Sequence, residues 1–105
     1  MTRDQVQAWL AAREPTPPAV LAERLRQVVA AAPAAVADAE TMAVALGALG
    51  HTLLEGVVHC DPQGAGVALD LLAADAFVTY AFEAAAEDGA DVGALAEQLL
   101  GAVHV

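Results

Sequence analysis

The chain has no lysine, asparagine, isoleucine or serine, and a single cysteine, tryptophan and tyrosine. Each shortage excludes something. Without serine there is no serine nucleophile, and with Cys60 alone there is no intramolecular disulfide. Lys, Asn and Ile share AT-rich codons whereas the abundant Ala, Gly, Arg and Pro have GC-rich ones, so part of this bias reads as genomic rather than functional. Aromatic residues make up 4 % of the chain, and much of its 58 % hydrophobic content is alanine. Burial yields roughly 25 cal/mol per Å² of apolar surface, so Leu, Val and the few aromatics must supply most of it. A monomer of this composition is expected to be marginal, which favours self-association. Long apolar runs are also missing. Met42 to Gly50 is the most apolar stretch, far short of the about 20 residues that span a bilayer, and His51 and Glu55 follow it. The start, MTRDQVQAWL, lacks the basic head and apolar stretch of a secretory signal, so the expectation is a soluble cytoplasmic protein.

Positive charge is scarce and unevenly placed. All four cations, Arg3, Arg13, Arg24 and Arg26, lie in the first 26 residues beside three acids, giving +1. The remaining eleven acids face no Lys or Arg, giving −11 and a total of −10. Such a surface repels nucleic-acid phosphates and anionic lipid, so neither is expected as a partner. The split also implies that the arginine-bearing N-terminal part docks on the acidic part, in the same chain or in a neighbouring one.

What is present points to helices throughout. At 105 residues one domain is expected, spanning 1–105. Thr2 and Gln5 have the form of a capping box for a short helix over about Arg3 to Arg13, with Trp9 as a lid over the core. "EPTPPA" ends it, and Thr16 with Pro17 predicts the cap and first turn of a second helix whose apolar face is Val20, Leu21, Leu25, Val28 and Val29. Pro33 interrupts, and Asp38 is the expected cap of a third helix over about Ala39 to Cys60. Its segment "MAVALGALG" is apolar on every side. A turn at "DPQGAG" precedes a fourth helix from about Ala65 to Glu87, with Val67, Leu71, Val78 and Phe82 as its main stripe and Asp75, Thr79, Glu83 and Glu87 as a polar one. Asp91 caps an expected fifth helix lined by Val92, Leu95, Leu99 and Val103. With no repeat and no β alternation, the fold class is all-α: a small helical bundle of four main antiparallel helices plus a short N-terminal helix.

The densest chemistry is "HTLLEGVVHCD", residues 51 to 61. His51, Glu55 and His59 recur every four residues along one helix face, spread over about 12 Å, so a single ion cannot bind all three comfortably. Folding the third and fourth helices back about the loop at 61 to 66 places Asp75 opposite His51 and Thr52. The best candidate metal set is therefore His51, Glu55 and Asp75, for a divalent transition metal. The competing reading is an ordinary pairing of Glu55 with a histidine four residues away. Cys60 adjoins His59 and Asp61, but neighbouring helical residues point about 100° apart, so it reads as a semi-buried structural thiol. "GAGVAL" lacks the third glycine and the preceding strand of a dinucleotide fingerprint and reads as a helix start.

Two stretches resemble known families. "LDLLAADAFVTYAFEAAAE", residues 69–87, is similar to a helix of the trans-isoprenyl diphosphate synthases, and "ALGALGHTLLEGVVHCD" is similar to the helix bearing their first aspartate-rich motif. No DDxxD motif is present, so the resemblance implies at most a relic helix pair without prenyl transfer. "GHTLLEG" resembles the histidine phosphotransfer domain, which would make His51 the phosphorylated residue. Leu54 and Glu55 stand where that family has lysine and glycine, and Glu55 would repel phosphate.

The reading best supported by the residues is a small acidic non-enzymatic helical protein that acts through protein–protein contacts. A homodimer is expected, buried along the small-residue face of the third helix at Ala43, Gly47 and Gly50. The alternative is a metal- or small-ligand-binding bundle using His51, Glu55 and Asp75. No complete set of nucleophile, base and oxyanion donors supports an enzyme.

Overall fold

Helix starts follow the local chemistry of the chain. In the computed structural model, which describes residues 1–59, 66–89, 93 and 97, α1 spans Arg3–Ala11 and opens with the expected capping box. Gln5 N donates to Thr2 Oγ1 at 3.1 Å, and Thr2 N donates to Gln5 Oε1 at 2.8 Å. The second helix, α2, spans Ala19–Ala31 and starts later than Thr16 implies, with Pro18 at its cap and no side-chain capping bond. The reason is the proline pair: a residue before proline is forced out of the helical region, so Pro17 cannot be the first helical residue. Pro33 does more than interrupt. It opens a one-turn helix, α3 (Pro33–Ala37), that Asp38 closes as its C-cap. The cap of the central helix α4 (Met42–Val58) is consequently Thr41 and not Asp38, with Val44 N donating to Thr41 Oγ1 at 3.2 Å. Gly66, at φ +90°, precedes α5 (Val67–Glu87), and the left-handed backbone there suits glycine.

The fold is all-α, with no strand among the described residues. All five helices among the described residues contribute to one core: Val6 from α1, Leu25 and Val29 from α2, Val36 from α3, Leu46 and Leu49 from α4, and Phe77 from α5. Among the described residues, eight of the seventeen buried apolar ones are alanine, so the few large ones carry a disproportionate share of the burial. The expected fifth helix at 92 to 103 falls largely outside the described residues, as do Cys60 and Asp61.

Among the described residues, the α4–α5 pair is the most extensive contact. α5 folds back along α4, and at Gly50 the two lie close: a Cβ there would sit 3.2 Å from Phe77 Cβ, 3.3 Å from Val78 Cγ2 and 3.4 Å from the Ala74 carbonyl. Close approach sets which face of α5 turns inward. The buried residues are Ala73, Ala74, Phe77, Ala81, Ala84 and Ala85. The expected main stripe is corrected accordingly: Val67, Val78 and Phe82 are only half-buried, and Leu71 is exposed. Two helices at this separation exclude larger side chains from the seam between them, and alanine fits.

Candidate functional site

The 51 to 59 segment lies on the last two turns of α4. His51 is half-buried, and its Nε2 lies 3.1 Å from Glu55 Oε1, a contact that carries full charge only when the imidazole is protonated. His59 is the C-cap of the helix and is exposed. Asp75 does not join them. α5 has the register expected from folding back on α4, with Ala74, Phe77 and Val78 against Gly50, but Asp75 lies on the outward turn between these positions and is exposed. No group of three or more His, Cys, Asp or Glu side chains able to hold a metal forms among the described residues, so His51, Glu55 and Asp75 make a pair and a bystander.

Ala43, Gly47 and Gly50 are buried within one chain. At Gly50 the covering residues are those of α5, so a second copy cannot use this face without displacing the chain's own helix. This small-residue face lies inside the chain's own bundle. Its small residues serve intramolecular packing, because a helix apolar on every side finds partners inside its own bundle.

The described side chains that converge most are elsewhere, where the N-terminal arginines meet α5. Arg13, just past the end of α1, donates from Nη1 to Glu83 Oε1 at 2.9 Å and to Glu87 Oε1 at 2.7 Å, and from Nε to the Trp9 carbonyl at 3.0 Å. Its guanidinium carbon lies 3.6 Å from the centre of a Trp9 ring, a cation–π contact. Trp9 Nε1 donates to Glu87 Oε2 at 3.2 Å, and its ring meets Tyr80 edge-on at 5.8 Å between centroids. A second fastening joins α2 to α5, with Arg24 Nε 2.6 Å from Asp70 Oδ1 and Arg24 Nη2 3.3 Å from Asp70 Oδ2. The sequence signals were the charge split and the four-residue spacings Trp9/Arg13 and Glu83/Glu87. The docking of the basic part on the acidic part occurs within the chain.

The electrostatics of this cluster are those of a fastening. The hydrogen bond from Arg13 holds the Glu87 carboxyl below the usual range, and the bond to Glu87 in turn raises the Arg13 guanidinium. A general acid needs the opposite shift, since it must keep its proton near neutral pH. Burial, with Glu83 nearby, raises the Tyr80 phenol, while Arg13 opposes the rise. Tyr80 therefore stays neutral as a ring to pack against. The chain matches no known family model, no curated protein and no solved structure.

Proposed function

We propose that this is a non-enzymatic helical module that works in the cytoplasm through protein–protein contacts, with a second copy of the chain as the first partner to test. The observation that carries the reading is the displacement of large apolar side chains from core to surface. Val20, Val58, Leu71 and Leu72 are 68 %, 75 %, 46 % and 58 % exposed, while alanines line the inner side of α5. Val20 and Leu69 line one groove between α2 and α5, and Leu72 lies one turn beyond Leu69. Exposed apolar surface on so acidic a chain gives a short-range attraction that offsets long-range repulsion between copies. Among the described residues no helix is long and apolar enough to cross a membrane, so these side chains do not form a spanning segment.

Sedimentation velocity at about 10 and 100 µM, spanning the range of weak association, tests the reading. The expected result is a concentration-dependent dimer that Leu72→Glu or Leu71→Glu dissociates with the helical circular dichroism unchanged. A wild-type chain that stays monomeric at the higher concentration overturns the homodimer.

A further inference from the structure

α1 sits loosely on the bundle. Val6 is its one fully buried residue, and open clefts flank it on two sides. One, of about 540 Å³, is lined by Leu10 and Ala11 together with Ala22 and Leu25 of α2, and the other, of about 360 Å³, by Arg3 and Asp4 together with Pro33 and Ala37 of α3. Close-packed seams leave no such room. Gln7 Nε2 donates to the Arg26 carbonyl at 3.2 Å, yet Gln7 Oε1 is buried with no donor among the described residues. Such an acceptor costs free energy where it lies and regains water once the helix lifts. The connector to α2, residues 12 to 18, holds three prolines and is exposed at every residue but Arg13 and Pro17. What keeps α1 down is chiefly Val6 in its middle and, at its C-terminal end, Trp9 against Tyr80 and the bonds of Trp9 and Arg13 to Glu83 and Glu87. Both carboxylates are half-exposed, so water and salt compete for them.

We infer that α1 is an internal ligand: it lifts as a unit and yields its seat on Tyr80, Glu83 and Glu87 to a helix of another protein, basic and amphipathic, with an aromatic residue and an arginine four positions apart. The observed occupant has that pattern, with Trp9 against Tyr80 and Arg13 bonded to both carboxylates. Charge selects a helix more basic than α1, because residues 1–14 carry two arginines and two acids whereas no Lys or Arg follows Arg26. The inference rests on the reading of the chain as a contact module and gives it a partner besides a second copy.

The probe is a synthetic peptide of residues 1–14 with a dye at its C-terminal end, titrated with the full chain at low salt and followed by fluorescence anisotropy. The chain's own α1 competes at an effective concentration in the millimolar range, so wild type should bind the peptide weakly, with a Kd of about 1 mM. Arg13→Glu in the chain sets a third carboxylate beside Glu83 and Glu87, which frees the seat, and should tighten binding about tenfold. A peptide carrying Arg13→Glu should bind neither chain, and one carrying Glu14→Arg should bind several-fold more tightly than the unchanged peptide. An Arg13→Glu chain that binds no tighter than wild type overturns the internal ligand, and peptides that bind alike overturn the basic partner. Leu72→Glu, which tests the dimer, should leave peptide binding unchanged, so the two readings fail separately. A loss of binding there would put the peptide on the dimer face and overturn the seat. Hydrogen exchange on wild type needs no variant to fold: the amides of Val6, Gln7 and Leu10 should exchange at one common rate, at least about tenfold faster than those of Leu46 and Leu49. Equal protection of the two helices would mean that α1 leaves only when the whole bundle unfolds, and overturns the inference.

Discussion

Toward α4, α5 presents Ala74 and Phe77 to a glycine, while toward the N-terminal helices it presents Asp70, Tyr80, Glu83 and Glu87 to two arginines and a tryptophan. The first contact is dry and made of short side chains, so its strength comes from dehydration and shape. The second is made of long, half-exposed side chains, so its strength comes from charge. The same helix is thus held by two kinds of force. The seam should respond to volume and ignore salt, and the fastenings should respond to salt and pH while tolerating changes of volume.

The largest effect is expected at the one big side chain of the seam. Phe77 is fully buried, and the other buried residues of α5 are all alanine. Phe77→Ala should cost about 3–5 kcal/mol, enough to leave much of a marginal domain unfolded at room temperature. Urea unfolding followed by circular dichroism checks this, and a cost below about 1 kcal/mol would show that the seam is not the main source of stability. Next in size is Gly50→Val, which places methyl groups where Phe77 and the Ala74 carbonyl already lie. It should cost about 1–3 kcal/mol by overpacking. Gly50→Ala should cost less, because the tight Cβ contact is partly offset by a helix-propensity gain of about 1 kcal/mol.

How much of this was legible in the sequence depended on whether the signal was local. The capping box at Thr2 and Gln5 and the apolar run of α4 depend on neighbours a few residues away, and they are where the sequence implies. The inward face of α5 was not legible, because hydropathy ranks Val67, Leu71 and Phe82 above alanine whereas the close approach at Gly50 selects for small size. For the same reason the turn expected from "DPQGAG" implied the register of α5 but not its rotation, which carries Asp75 away from His51. The fastening of Arg13 to Glu83 and Glu87 was visible only as a regional imbalance of charge. Its partners are 70 and 74 residues apart, and no local pattern pairs them.

Smaller effects belong to the fastenings. Arg24→Gln and Arg13→Gln should each cost at most about 1 kcal/mol, the scale of ion pairs that water still reaches. In 1 M salt, where charges are screened within about 3 Å, both variants should approach the wild-type melting temperature, while the deficit of Gly50→Val should persist. A salt-insensitive deficit in Arg13→Gln would mean that stacking on Trp9, and not charge, is what Arg13 contributes.

The smallest effect is the pH dependence of that Arg13→Gln deficit, and its direction follows from Glu87. The hydrogen bond from Arg13 depresses the Glu87 carboxyl below its ordinary value of 4.5 in the folded chain. A group with a depressed folded value binds its proton more readily when unfolded, so its contribution is fully present above the unfolded value and fades as pH falls through the folded one. The melting-temperature difference between wild type and Arg13→Gln should therefore be level from neutral pH to about 5, narrow below about 4.5, and close at still lower pH. Glu23, depressed by its bond from Arg26, titrates in both proteins and cancels in the difference. Raising the pH separates charge from stacking on the other side. The Tyr80 phenol is raised above its ordinary 10.0, so the stability linked to its neutral form is lost as pH rises past that value. In Arg13→Gln the positive charge that opposes this rise is gone, and tyrosinate absorbance should appear at higher pH than in wild type. If the acid-side difference stays constant down to the pH of unfolding, the carboxylates of α5 are not what holds Arg13, and the contrast between its two sides reduces to two kinds of packing.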